Sequence, residues 1–150
     1  MSAKKNDPAY KKITDQLNHL LKLELEGANR CLHHSFMVFG FSRDPIVKYF
    51  RGKASEALDH AALLGEKIVA LGGHPQVRIE ATWEPEKHSV QQMLEINLEA
   101  EKTALAEYTK LLALVPKDDI ALEELVRSQI LKEQDDVEEI EKYLRPPTGN

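Results

Sequence analysis

The sequence is poor in the residues that mark disulfide scaffolds, membrane spans and irregular folds. Its 150 residues include one cysteine, Cys31, so no intrachain disulfide can form and a reducing, cytoplasmic compartment is the simplest expectation. Glycine and proline number seven each, and aromatic residues make up only 6%, which leaves little material for a turn-rich β architecture. No apolar run approaches the ~20 residues that cross a bilayer. The N-terminal MSAKKNDPAYKK carries no apolar stretch of signal-peptide length. No basic block offsets the acids, and the formal charge of -5 argues against a nucleic-acid-binding surface.

What remains is 30% charged and 42% apolar residues, the balance of a soluble, highly charged helical protein, with enough length for one domain over 1–150. Four long helical patterns are expected. The first opens at Asp7-Pro8, an N-cap followed by proline at the first helical position, and runs over about 8–39 to a cap at Gly40. The second repeats that opening at Asp44-Pro45 and runs over about 45–72 to Gly72-Gly73. A connection with Pro75 and Pro85 leads to the third, about 87–115. Pro116 to Asp119 form a tight turn before the fourth, about 118–144, and a polar tail occupies 146–150. Helices of roughly 27 to 32 residues, on the order of 40 to 45 Å, can bury their apolar stripes in so short a chain only side by side. The expected fold is all-α, an antiparallel four-helix bundle with one long crossover between the second and third helices.

Placing the helices on one frame exposes a pattern. Glu101 lies mid-stripe among Val90, Leu94, Tyr108 and Leu112, at offsets of seven and eleven residues that return within about 20° of the same direction. Glu24 has Ile13, Leu17, Cys31 and Ser35 at those offsets, and Glu133 has Leu122, Val126, Ile140 and Leu144. The second helix fits around Ala57, with Ile46, Phe50, Leu64 and Ile68. His60 follows Ala57 by three residues, and Asp136 follows Glu133 by three, one turn along in each case. The chain thus reads as two copies of one helix hairpin, Glu24 then Ala57-x-x-His60, and Glu101 then Glu133-x-x-Asp136.

A single glutamate on a helix is more often an edge residue or half of an ion pair than a ligand. Three at equivalent stripe centres reverse that weighing, because buried carboxylates need cations. Lys53, about one turn before Ala57, is the only Lys or Arg near a stripe centre. A metal site made of Glu24, His60, Glu101, Glu133 and Asp136 resolves the conflict, and oxygen ligands with one imidazole suit Fe, Mn or Zn. Glu56, four residues before His60 but turned about 100° from Ala57, is an additional candidate, read first as a surface acid. Glu101 itself should be buried. His33 and His34 read as surface or interface residues, His19, His74 and His88 as outward or near loops, Cys31 as a small buried filler, and Tyr108 as a core residue whose hydroxyl reaches a ligand carboxylate. Trp83 reads as an anchor for the crossover or a subunit contact.

At these positions the sequence resembles the ferritin-like superfamily, and bacterioferritin most closely. The resemblance rests on Leu23-Glu24-Leu25, Ala28-Asn29-Arg30 and Leu32-His33 in the first helix, His60-Ala61 with Pro75 in the second, and Met93-Leu94, Leu98 and Glu101 in the third. It implies an intrasubunit di-iron site in which Glu24 and Glu101 are terminal carboxylates, Glu133 a bridge and His60 an imidazole ligand. Ala57 stands where the other bridging glutamate belongs, and Asp136 replaces a second histidine. Leu58 occupies the haem-methionine position, so no haem is expected. Only six residues follow Leu144, so the family's fifth helix is absent and a 24-subunit shell is in question. The resemblance implies iron, one or two per subunit, with Mn or Zn as alternatives; O₂ or peroxide as oxidant; weak ferroxidase or storage activity; and a homo-oligomer, dimer or larger. Two rivals stand beside it: a degenerate structural or assembly subunit binding one Zn or Mn or no metal, and, ranked last, a di-iron oxygenase.

Overall fold

The computed structural model describes residues 3–78 and 85–149. A short 3-10 turn at Ala3–Asn6 precedes four helices: α1 (Pro8–Phe36), α2 (Arg43–Ala70), α3 (Val90–Leu114) and α4 (Ile120–Leu144). Among the described residues there is no strand. Trp83 lies outside the described residues.

Local chemistry fixes most helix ends. The Asp7 carboxylate accepts from the Ala9 amide at α1, with Pro8 at the first helical position. Ser89 and Gln92 form a reciprocal capping box at α3, and Asp119 accepts from the Leu122 amide at α4. At the end of α2, Gly72 takes φ +85°, its amide bonds the Val69 carbonyl, and the Gly73 amide bonds the Ile68 carbonyl. This is a Schellman closure, which needs the left-handed residue glycine supplies.

Several ends differ from the sequence expectation by two or three residues: α3, expected from about 87, begins at Val90 behind its Ser89 cap, α2 ends at Ala70 and α4 begins at Ile120. α1 stops at Phe36, and Gly40, at φ +101°, serves the α1–α2 turn instead, its carbonyl accepting from the Arg43 amide. α2 begins at Arg43, before Asp44-Pro45. A proline within the first turn lacks only an amide hydrogen that would have no intrahelical acceptor, so Asp44-Pro45 does not mark the boundary.

Contacts fix the helix directions. Gly72 and Gly73, just past the end of α2, lie against Lys5, just before α1, and Thr14 near its start, so α1 and α2 are antiparallel. Gln16 near the start of α1 bonds Glu107 near the end of α3, and Tyr10 bonds Asp119 at the start of α4. α3 is therefore antiparallel to α1, and α4 is parallel to it. Since α2 and α3 run the same way, their connection returns along the length of the bundle. Its first part is held to α1, where Asn18 bonds the His74 carbonyl and the Gln76 amide.

The apolar interior is divided. One cluster, including Ile13, Leu17, Leu64, Tyr108 and Leu122, fills the end holding the α1 N-terminus. A second, including Val47, Phe50, Met93 and Ile140, fills the other end. Between them lie the buried polar side chains Glu24, His60, Glu133 and Asp136. Each fully buried aliphatic or aromatic side chain contributes about 1.5–3 kcal/mol, so the two clusters together hold the bundle against a polar layer that costs several kcal/mol to desolvate.

Candidate metal centre

The four helices bring the frame positions to one level. His60 Nδ1 lies 3.4 Å from Glu24 Oε1 and 3.7 Å from Glu133 Oε1. Donor atoms of Glu24, His60 and Glu133 all fall within 4.8 Å of one another, as do those of Glu101, Glu133 and Asp136. Glu133 belongs to both groups. The Tyr108 hydroxyl donates to Glu24 Oε1 at 2.8 Å in the buried interior and so fixes that carboxylate's rotamer. The hydroxyl is pushed far above the ordinary tyrosine range, by burial first and by Glu24 second, and it stays a donor.

The acids of this layer crowd one another around His60. Burial, together with the neighbouring Glu101 and Glu24, pushes the Glu133 carboxyl well above the usual carboxylate range, against the pull of His60. Burial works against a charged His60, but its bonds to Glu133 and Glu24 outweigh that and raise it to about 10. The layer therefore holds protons at neutral pH. Glu133 Oε2 is buried without a hydrogen-bond partner, and a buried carboxylate oxygen without a donor costs on the order of 1–3 kcal/mol or more.

The second group contains a cation of its own. Lys53 Nζ lies 2.6 Å from Asp136 Oδ1, with Glu56 Oε2 at 3.3 Å and Glu139 Oε2 at 3.7 Å. Its side chain is only 14% exposed, and the ammonium lies 5.8 Å from the Tyr49 ring centroid. Burial disfavours this ammonium, but the bond to Asp136 and the surrounding acids outweigh burial and keep it charged above its ordinary range. Asp136 is raised to about 6 by burial, against the pull of Lys53. The sequence reading, which left these carboxylates to a metal and placed Lys53 only near a stripe centre, is corrected here: Lys53 meets them directly. Helical period gives the face of Lys53, but not the reach of its four-carbon stem across to α4. Glu56 is half-exposed and approaches His60 Nε2 at 3.8 Å.

Two spaces meet at this layer. A small one of about 20 Å³ is lined by Glu24, His60, Glu101, Glu133, Asp136 and Lys53 among others, room for one water-sized occupant. A larger one of about 200 Å³ is lined by Gly27, Ala57, Ala104 and Glu101, where small side chains leave the helices uncovered. This opening makes Glu101 half-buried, not buried as its stripe position implies. The donor set of Glu24, His60 and Glu133 fits a divalent cation: two carboxylates, one imidazole and an orphaned oxygen between them.

The ferritin-like domain model matches residues 14–146. The chain belongs to the ferritin-like domain family. Its fold superposes on the crystal structure of ferritin-like, diiron-carboxylate proteins from Bacillus anthracis str. Ames with a TM-score of 0.83, at 25% identity over 97% of this chain and 100% of that one. No curated protein matches the sequence. The all-α bundle with its long crossover is thus the ferritin-like fold.

Within that fold, two buried polar residues escaped the sequence reading. Asn97 donates to the Met93 carbonyl, meets His34 Nδ1 at 2.9 Å, and accepts from Arg30 and Cys31. Gln129 is buried on α4. The signal was present in the frame: the residues four before each stripe centre are Leu20, Lys53, Asn97 and Gln129, three of them polar. His34 is 1% exposed and packs edge-on against Phe50, so its surface assignment is corrected. Its hydrogen bond to Asn97 makes burial affordable in a way that apolar spacing does not reveal. His33 is half-buried, with the His88 ring 5.6 Å away. Cys31 is buried, and burial pushes its thiol up to about 11. Leu58 is exposed on α2.

Proposed function

We propose that this chain is an iron-binding ferritin-like protein, nearest in type to bacterioferritin but without haem, working in iron oxidation or storage. The observation that carries the reading is Glu133. Its carboxylate is buried between Glu24 and His60 on one side and Glu101 and Asp136 on the other, with Oε2 unpartnered. The family membership and the diiron-carboxylate description of the Bacillus anthracis structure support iron as the metal.

Glu24, His60 and Glu133 hold the metal, with Glu101 and Asp136 facing it from α3 and α4. Bound iron supplies one-electron transfer to O₂ or peroxide. The chain's own part is to set the donors. Tyr108 orients Glu24, while Glu133 and His60 surrender protons as the cation enters. The opening beside Gly27 and Ala57 gives small solutes a route to Glu101.

Among the described residues no helix is long and apolar enough to cross a membrane. The lone cysteine supports a reducing, cytoplasmic site of action. Leu32 and Phe36, one turn apart on α1 and exposed, support assembly into at least a dimer. Anaerobic Fe(II) titration followed by oxygen tests the reading. We expect at least one iron per chain and oxidation above buffer. Less than one iron, with no such oxidation, sinks it.

A second reading has its own observation. His60 between two glutamates and Lys53 on Asp136 compensate much of the layer's charge internally. That favours a structural or assembly subunit holding one Zn or Mn, or no metal. Elemental analysis of the purified protein alongside its native mass separates the two.

A further inference from the structure

We infer that the Lys53 ammonium is a built-in replacement for the second cation of the layer, so that this chain holds one metal, in the Glu24–His60–Glu133 half. The inference rests on the metal-centre reading above and fixes how many ions that centre takes.

Three observations carry it. First, a second ion would need Asp136 together with Glu101 and Glu133, and Asp136 Oδ1 already lies 2.6 Å from the ammonium. Metals in two-metal sites stand about 3.5–4 Å apart, so a second ion sharing Asp136 would face both the first metal and Lys53 at close range. Second, charge favours a single ion. Glu24, Glu101, Glu133 and Asp136 supply four negative charges when ionised. One divalent ion with Lys53 leaves one negative charge and two leave one positive charge; the negative remainder can rest on Glu101, half-buried beside the larger opening, whereas the positive one stays with the buried Lys53 in a desolvated layer. Glu56 and Glu139 also face the ammonium, but both are substantially exposed and their charge is screened by solvent. Third, Lys53 lines the same small space as Glu101, Glu133 and Asp136, so the ammonium borders the volume a second ion would enter.

Ala57 fits the same account. It lies one turn after Lys53 on α2 and removes the carboxylate that would otherwise face the second position. The two residues act as a pair.

The test compares the natural chain, Ala57→Glu, and Ala57→Glu combined with Lys53→Met. Each is equilibrated anaerobically with Fe(II) and counted by elemental analysis, then with Mn(II) and examined by electron paramagnetic resonance. We expect one metal per chain, with an uncoupled Mn(II) signal, in the natural protein and in Ala57→Glu. The double variant should take two and show an exchange-coupled Mn(II) spectrum. Two metals in either chain that retains Lys53 overturns the inference while leaving the metal-centre reading intact. A single metal in the folded double variant also overturns it. If the double variant does not fold, Lys53→Gln in the Ala57→Glu background takes its place. No metal in any chain defeats the metal-centre reading, and this inference with it.

Discussion

The Tyr108 hydroxyl donates to Glu24 Oε1 at 2.8 Å, joining α3 to α1 at the boundary between the polar layer and an apolar cluster. The bond supplies Glu24 with a donor that survives desolvation, and it points the carboxylate toward His60. Tyr108→Phe should lower metal affinity by about 10-fold or more, the usual effect of removing a residue that orients a ligand, and destabilise the metal-free protein by about 1–2 kcal/mol. Chelator competition and urea unfolding measure the two effects. Unchanged affinity in a folded variant would show that Glu24 needs no orientation.

Glu133 is a stability liability in the metal-free state. In the unfolded chain it ionises near 4.5, while in the bundle burial and Glu101 hold it protonated to much higher pH. Near pH 7 the folded state therefore gives up the ionisation that the unfolded state enjoys. Glu133→Gln removes that penalty, and in the presence of a chelator it should stabilise the protein by about 1–3 kcal/mol while abolishing tight metal binding. Calorimetry with and without metal reads both; a destabilised variant would mean that Glu133 earns its place structurally.

The same groups set the pH dependence. His60, raised to about 10, contributes stability that is fully present below its unfolded value near 6.5 and is lost as pH rises through about 10. Glu133, raised for a different reason, acts in the same direction. The metal-free melting temperature should therefore fall between about pH 6.5 and 10. Metal affinity should climb over that range, because both groups must lose protons to bind. A metal-free melting temperature that rises with pH would contradict this assignment.

Asp119 does three jobs at the start of α4. It accepts from the Leu122 amide, from Tyr10 Oη at 2.7 Å and from Lys4 Nζ at 2.7 Å. The bonds to Lys4 and Tyr10 hold its carboxyl below the ordinary range, so its contribution is present above about pH 4 and lost as pH falls through the depressed value. Asp119→Ala should cost about 1–3 kcal/mol, and Asp119→Asn less, since the amide oxygen still caps the helix. Denaturant midpoints at neutral pH order the three proteins; equal loss in both variants would assign the effect to charge alone.

Much of this centre is legible in the sequence because heptad-like offsets report direction. Glu24, Glu133, His60 and Asp136 point inward, as their spacing from Leu17, Val126 and Leu64 requires. Direction is not distance. Lys53 reads as a residue one turn from a stripe centre, and only the packed bundle shows its ammonium on an acid 83 positions away. Exposure also depends on neighbours: Glu101 sits mid-stripe, yet Gly27, Ala57 and Ala104 are too small to cover it. His34 failed for the opposite reason. Its partner Asn97 comes from another helix, and no single-helix pattern contains that pair.

The division of the apolar interior into two clusters has a consequence for folding. Bundles with uniformly apolar seams can slide by a turn or a heptad and still bury their stripes. Here a slip of one helix would thrust an acid or an imidazole into Leu and Phe neighbours and strand its former partners. The charged layer is thus an alignment key, permitting one axial setting of the four helices, and that selection operates before any ligand arrives.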